Sequence, residues 1–310
     1  MTDTTTTLAK LTPRTEPAHD DDVTIEPDPP ETPPKERSIP AGTIVRRGLQ
    51  VFALAVVAFM IFAVWLSGLA HARSQTGLQR KFRTELANNA APVGGAIPTG
   101  SPVATLTIHQ IGLTQTVVEG SRASQLRAGP GHVTGTPLPG QPGNAVIAGR
   151  RTLYGGPFHH LASLQPGDLI HVTTGEGTST YRVTHIATLA AHDGTFVQEQ
   201  GDNRLTLFTT DSPWNANGRL VVTATLTGNP YPPTNTQHAL DPDGLGLTGE
   251  RSAAPYLLVW LELLAVTALT SAYATTRWSP PRVWLVFAPI LTVMIWLSFE
   301  SFVRLLPATL

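Results

Sequence analysis

Two adjacent arginines, Arg150 and Arg151, follow a short apolar run, Asn144–Ala148, once it has reached Gly149. The run is too brief for a helix, so it reads as a β-strand that opens into a loop turned by Tyr154-Gly155-Gly156-Pro157. Binding and catalytic groups often sit where a rigid strand gives way to a loop, although solvated arginines after a buried strand are the plainer reading. A second β run, residues 205–210, is followed by Asp211, Ser212 and, after a turn, by Arg219 opening a third run. Guanidiniums are permanently charged forks of donors suited to a carboxylate or a phosphate. Asp211 offers the opposite possibility, an internal ion pair with one of them. Ser212 with Asp211 and a histidine would make a hydrolytic set, and His132, His159, His160, His171, His185 and His192 all lie in this half of the chain. Lone loop or surface histidines are the simpler reading of each; His159 and His160 are the pair best placed to face a groove. Adjacent side chains diverge on a helix, so that pair is no metal site, and neither a metal nor a cofactor is expected. The chain has no cysteine, which excludes disulfides, thiolate metal sites and a thiol nucleophile.

The three runs, in this order, resemble the active-site strands of sortases, the membrane-anchored transpeptidases of Gram-positive cell surfaces, and most of all the class E type of actinobacteria. That family reads Ala-Gly-His-Arg-Thr-x-Tyr-Gly at the first strand, Leu-Thr-Leu-x-Thr-Cys at the second, and an Arg opening the third. Here the first reads Ala148-Gly149-Arg150-Arg151-Thr152-Leu153-Tyr154-Gly155 and the second Leu205-Thr206-Leu207-Phe208-Thr209-Thr210, with Arg219 in the third place. The resemblance covers roughly residues 103–227. It implies that the cysteine position is held by Thr210 and the histidine position by Arg150, while the arginine, Arg219, stands. It implies further that Tyr154, His132 and Asp211 line the binding region.

The elements that must position these residues read as all-β, with β-branched runs parted by Gly, Pro, Asn and Asp. Strands are expected near 104–108, 114–118, 144–148, 169–173, 178–187, 204–210 and 219–225, and helical turns at 121–126 and 158–164. Even spacing suits a sandwich or a small barrel; the resemblance implies a sortase-like closed β-barrel with one or two short helices. The clusters 129–132 and 139–143 read as turns.

Around this domain at 103–227 the chain divides as follows. Residues 1–45, rich in Thr, Pro, Asp and Glu, read as a disordered cytoplasmic tail. Residues 46–72 hold a long uncharged run, an uncleaved transmembrane anchor preceded by Arg46 and Arg47. A short polar helix and a Gly/Pro-rich linker fill 73–102, and a second linker fills 228–252. Two more apolar runs, 253–275 and 283–304, each match a bilayer span, and Arg277 and Arg282 sit in the hinge between them. Basic residues at both inner ends predict a multi-pass protein of the cell membrane with its tail inside and its β domain extracellular. Glu262 and Glu300, rare charges in such spans, are expected to serve helix–helix or partner contacts, with Arg304 a candidate partner of Glu262.

A net charge of −1 leaves no basic excess to displace phosphate counterions, so no nucleic-acid partner is expected. Thr210 needs a base to become a nucleophile, and arginine stays protonated. The expected function is therefore that of a catalytically degenerate, pseudoenzyme-type sortase-like module, binding a sorting-signal-like peptide or a surface protein. The alternative is a divergent transpeptidase or hydrolase using Thr210 or Ser212.

Overall fold

A computed structural model describes residues 57–59, 61, 67–213, 217–233, 242–245, 249–274 and 277–310. The expected tail, most of the first span and part of the second linker lie outside these residues. The described elements belong to the unit Gln50–Leu310. They run α1 (Ser67–Ala87), β1 (Pro102–Ile108), β2 (Leu113–Glu119), α2 (Ala123–Leu126), β3 (Gly131–His132), β4 (Asn144–Ala148), β5 (Leu169–Thr174), β6 (Gly177–Ala190), β7 (Arg204–Thr210), β8 (Gly218–Thr227), α3 (Ala254–Ala274) and α4 (Pro280–Leu305), with short 3-10 turns between some of them.

The eight strands close into a barrel in the order β1-β2-β3-β4-β7-β8-β6-β5. Seven occupy the runs expected from the sequence. The eighth, β3, lies in the Gly129-to-His132 cluster expected to be a turn. It pairs parallel with β2 and antiparallel with β4 and so bridges them. Two residues beside a proline carry no hydrophobic period, so only tertiary pairing reveals them.

Side chains alternate across each strand, and both faces of the central strands are covered. Ala145, Ile147, Leu205, Leu207, Leu220 and Val222 point into the barrel core with Leu106, Ile170 and Tyr181. Val146, Ala148, Phe208 and Val221 point outward onto a second apolar cluster formed with Ala123, Leu126, Val133, Phe196 and Val197. That double cover leaves every residue of β4 and β7 buried, including the polar Asn144, Thr206, Thr209 and Thr210.

α1 continues beyond the expected anchor and lies along the barrel. Gln75 bonds three backbone groups there, Thr116 N, Thr116 O and Ala128 O, and Phe82 is buried. α3 and α4 are long and apolar enough to cross a membrane. Their outer residues are uncovered: Leu269 is 72% exposed, Trp284 74% and Leu285 80%. Water would not tolerate such a surface, and the two helices suggest membrane anchoring. Among the described residues there are two candidate spans rather than the three expected, because the first falls mostly outside them. Its described residue Phe59 lies edge-on to Phe299 and Phe302 of α4.

Candidate functional site

The parallel ladder of β4 and β7 places Ala148 beside Phe208, and Gly149 N extends it by donating to the Phe208 carbonyl at 3.1 Å. One step further, Arg150 and Thr210 leave neighbouring strand ends. The antiparallel ladder of β7 and β8 sets Thr210 directly opposite Arg219. The register thus gathers Arg150, Thr210 and Arg219 at one rim, on the outward face. Gly149 has a local reason: a Cβ there would lie 2.3 Å from the Phe158 ring, which packs into the core beneath the loop.

Each arginine is engaged. Arg150 is 0% exposed; its Nη2 donates to the Ala123 carbonyl at 3.2 Å and its guanidinium lies 4.9 Å above the Tyr154 ring. Its Nε and Nη1 have no partner among the described residues. Burial lowers its pKa to about 10, opposed by the nearby Tyr154, so it remains a cation at neutral pH. Arg219 lies 5.2 Å from the Phe196 ring and 5.5 Å from Phe208, a cation–π contact from two sides. It donates to the carbonyls of Leu245 at 2.6 Å and Asp193 at 3.5 Å, and burial lowers its pKa to about 10 as well.

The expected ion pair with Asp211 is not formed. Asp211 is exposed and accepts from Gly218 N at 3.2 Å, closing the β7–β8 turn, while both guanidiniums turn inward to carbonyls and rings. Thr210 is buried, and its hydroxyl donates to the Thr309 carbonyl at 3.4 Å. No histidine is hydrogen-bonded to Thr210 or Ser212 among the described residues. His159 and His160 are exposed and stack on each other with ring centroids 4.8 Å apart, and His185 and His192 are exposed too. His132 is buried away from the arginines, with Nδ1 2.8 Å from Glu119 Oε2 and Nε2 3.0 Å from the Pro137 carbonyl. Tyr154 belongs to the site, with its backbone in the left-handed region at φ 52° and its hydroxyl donating to Glu300 at 3.2 Å. Burial and the Glu300 carboxylate both raise its pKa.

Ser121, Arg127 and the segment 308–310, which sequence reasoning did not single out, complete the site together with Glu300, read from sequence only as a rare charge in an apolar span. Ser121 Oγ donates to the Gly244 carbonyl at 2.6 Å, which holds the turn Pro242–Leu245 over Arg219. Glu300 on α4 meets Arg127 at 2.5 Å and Arg304 at 3.4 Å, so the expected partner of Arg304, Glu262, is replaced by Glu300. Residues 308–310 lie against the loop 151–153: Arg151 N donates to the Thr309 carbonyl at 3.0 Å, and Thr152 N and Leu153 N to the Leu310 oxygen at 3.3 and 3.2 Å. Nothing in their composition announces this contact. The arrangement can hold a peptide segment by its carbonyls above a floor of Ala148 and Phe208; among the described residues no base is hydrogen-bonded to Thr210.

No curated protein matches the sequence. Among solved structures the chain is similar to the sortase D5 transpeptidase of Clostridium perfringens, at 26% identity over 51% of this chain and 99% of that one, with a TM-score of 0.44. It is likewise similar to the SrtF sortase of Corynebacterium diphtheriae, at 26% identity over 48% and 94%, with a TM-score of 0.41. The model of the sortase domain matches residues 106–227, and this chain therefore carries a sortase-like domain.

Proposed function

We propose that this chain is a membrane-anchored sortase-like module of the class E type that has given up transpeptidation and serves to bind or assemble a peptide or protein partner at the cell surface. One observation carries the reading. Among the described residues the hydroxyl at the expected nucleophile position, Thr210, is hydrogen-bonded only to the carbonyl of Thr309, and Arg150 at the neighbouring strand end is fully buried. A threonine attacks only when a base takes its proton, and a guanidinium with a pKa of about 10 stays charged at neutral pH and takes none. The absence of cysteine from the chain points the same way. Placement outside the cell is supported by Arg277 and Arg282 in the hinge between α3 and α4, at the end of the spans remote from the barrel.

The test is direct. Full-length protein in detergent is incubated with a sorting-type peptide and an amine acceptor, and products and protein are followed by mass spectrometry. Neither cleavage nor a covalent adduct is expected, while the labelled peptide binds by fluorescence anisotropy. Turnover that disappears in Thr210→Ala would overturn the reading in favour of a threonine enzyme, and turnover that disappears in Ser212→Ala would do so for a serine one.

A further inference from the structure

We infer that the groove over Thr210 is a peptide site whose resident occupant is the chain's own segment 306–310, so that α4 is latched to the barrel and the groove is closed to other peptides until the segment leaves. The inference rests on the binding reading above, but its geometry stands separately. α4 ends at Leu305, just before Pro307, and a residue preceding proline is driven out of the helical region; Leu306 is extended at φ −70°, ψ 154°. Residues 307–310 then fold into a turn, with Leu310 N donating to the Pro307 carbonyl at 3.1 Å.

That turn is seated as a ligand would be. The Ala308 side chain is 0% exposed and joins the outer cluster of Ala148, Phe208 and Leu126. The Thr309 carbonyl takes Arg151 N at 3.0 Å and lies 3.4 Å from both the Thr209 and Thr210 hydroxyls. The Leu310 oxygen takes the paired amides of Thr152 and Leu153. Arg151 turns its Nη1 to the Thr210 carbonyl at 3.1 Å, which fixes the loop that presents those amides. Main-chain groups thus supply most of the hold, and the buried Ala308 methyl adds one apolar contact.

The cysteine-free sequence allows a clean test on the full chain in detergent micelles. Ala308→Cys and, separately, Leu310→Cys introduce single thiols; His160→Cys, on an exposed residue, is the control. Maleimide labelling of the two segment thiols is expected to be at least about tenfold slower than the control, because it must wait for local opening. In the unsubstituted protein the amides of residues 151–153 are expected to resist hydrogen exchange. Free Leu-Pro-Ala-Thr-Leu peptide in excess is expected to speed labelling of the segment thiols, while the amides of residues 151–153, now held by the added peptide, stay protected. Segment thiols that label at the control rate, with amides 151–153 unprotected, would overturn the latch even if an added peptide binds. Shielded thiols that no added peptide uncovers, with the amides protected, would support the latch and count against the binding-module reading instead.

Discussion

Arg150 brings a full positive charge into a place with almost no water, and two of its nitrogens find no acceptor among the described residues. An unmade hydrogen bond on a buried group costs about 1–3 kcal/mol. The Tyr154 ring and the Glu300 carboxylate offset part of this. The pH dependence follows from the direction of the shift. The folded pKa, about 10, lies below the ordinary arginine value, so only above pH 10 does the unfolded chain hold a proton that the folded one has lost. The cost is therefore fully present at every pH below about 10 and eases as pH rises past it. Arg150→Met keeps the reach of the side chain and removes the charge. It is expected to raise the thermal midpoint at pH 7, equivalent to a gain of about 1–3 kcal/mol, since uncharged replacements of buried ions are often stabilising. A lowered midpoint in calorimetry would show instead that the guanidinium holds the rim together.

At the level of elements, the joint between α4 and the barrel runs through one carboxylate. Glu300 accepts from Arg127 of the barrel, from Tyr154 of the β4 loop and from Arg304 one helical turn on. Glu300→Gln keeps the shape and removes the charge that two guanidiniums share. A loss of about 1–2 kcal/mol is expected for partly buried pairs of this kind, less than for fully buried ones. Faster hydrogen exchange is expected in residues 150–156 and at the end of α4, with the remote strand β5 unchanged. Uniform loosening of the whole barrel would contradict a role confined to this joint. Glu300 was legible as an unusual charge in an apolar run, but not its partners, because Arg127 lies 173 residues away and only the fold brings it near. The strands were legible for a physical reason: β-branched and apolar residues recur in short runs between turn formers, and β4 announces itself by the unbroken apolar run 145–148. β3 was not, being two residues long, and neither was the seat of residues 308–310, whose hold comes largely from backbone groups that leave no mark on side-chain pattern.

Across the whole molecule, α4, the segment 306–310 and the barrel rim are joined in one run of contacts, and the chemistry open to the rim can be tested. Thr210 and Arg219 face each other across the β7–β8 ladder, and Arg150 leaves the strand beside Thr210, so the scaffold that would orient a nucleophile, its proton partner and a cation is still assembled. Thr210→Cys alone places a thiol at the rim where Arg150 and Arg219 leave the neighbouring strands. Its alkylation by iodoacetamide is expected to be half-maximal below the ordinary thiol value of about 8.5, because nearby cations favour the thiolate. It is expected to cut no peptide, since arginine neither takes nor returns a proton at neutral pH. Adding Arg150→His supplies a group that does both. Cleavage of a sorting-type peptide is expected from that double variant only when Ala308→Arg also unseats the segment, because the Thr309 carbonyl otherwise lies over position 210. Peptide cleavage by the double variant with the segment in place would show that the groove is open as built. An alkylation midpoint no lower than that of a free thiol, in the unseated protein, would mean that the charges of Arg150 and Arg219 do not reach position 210.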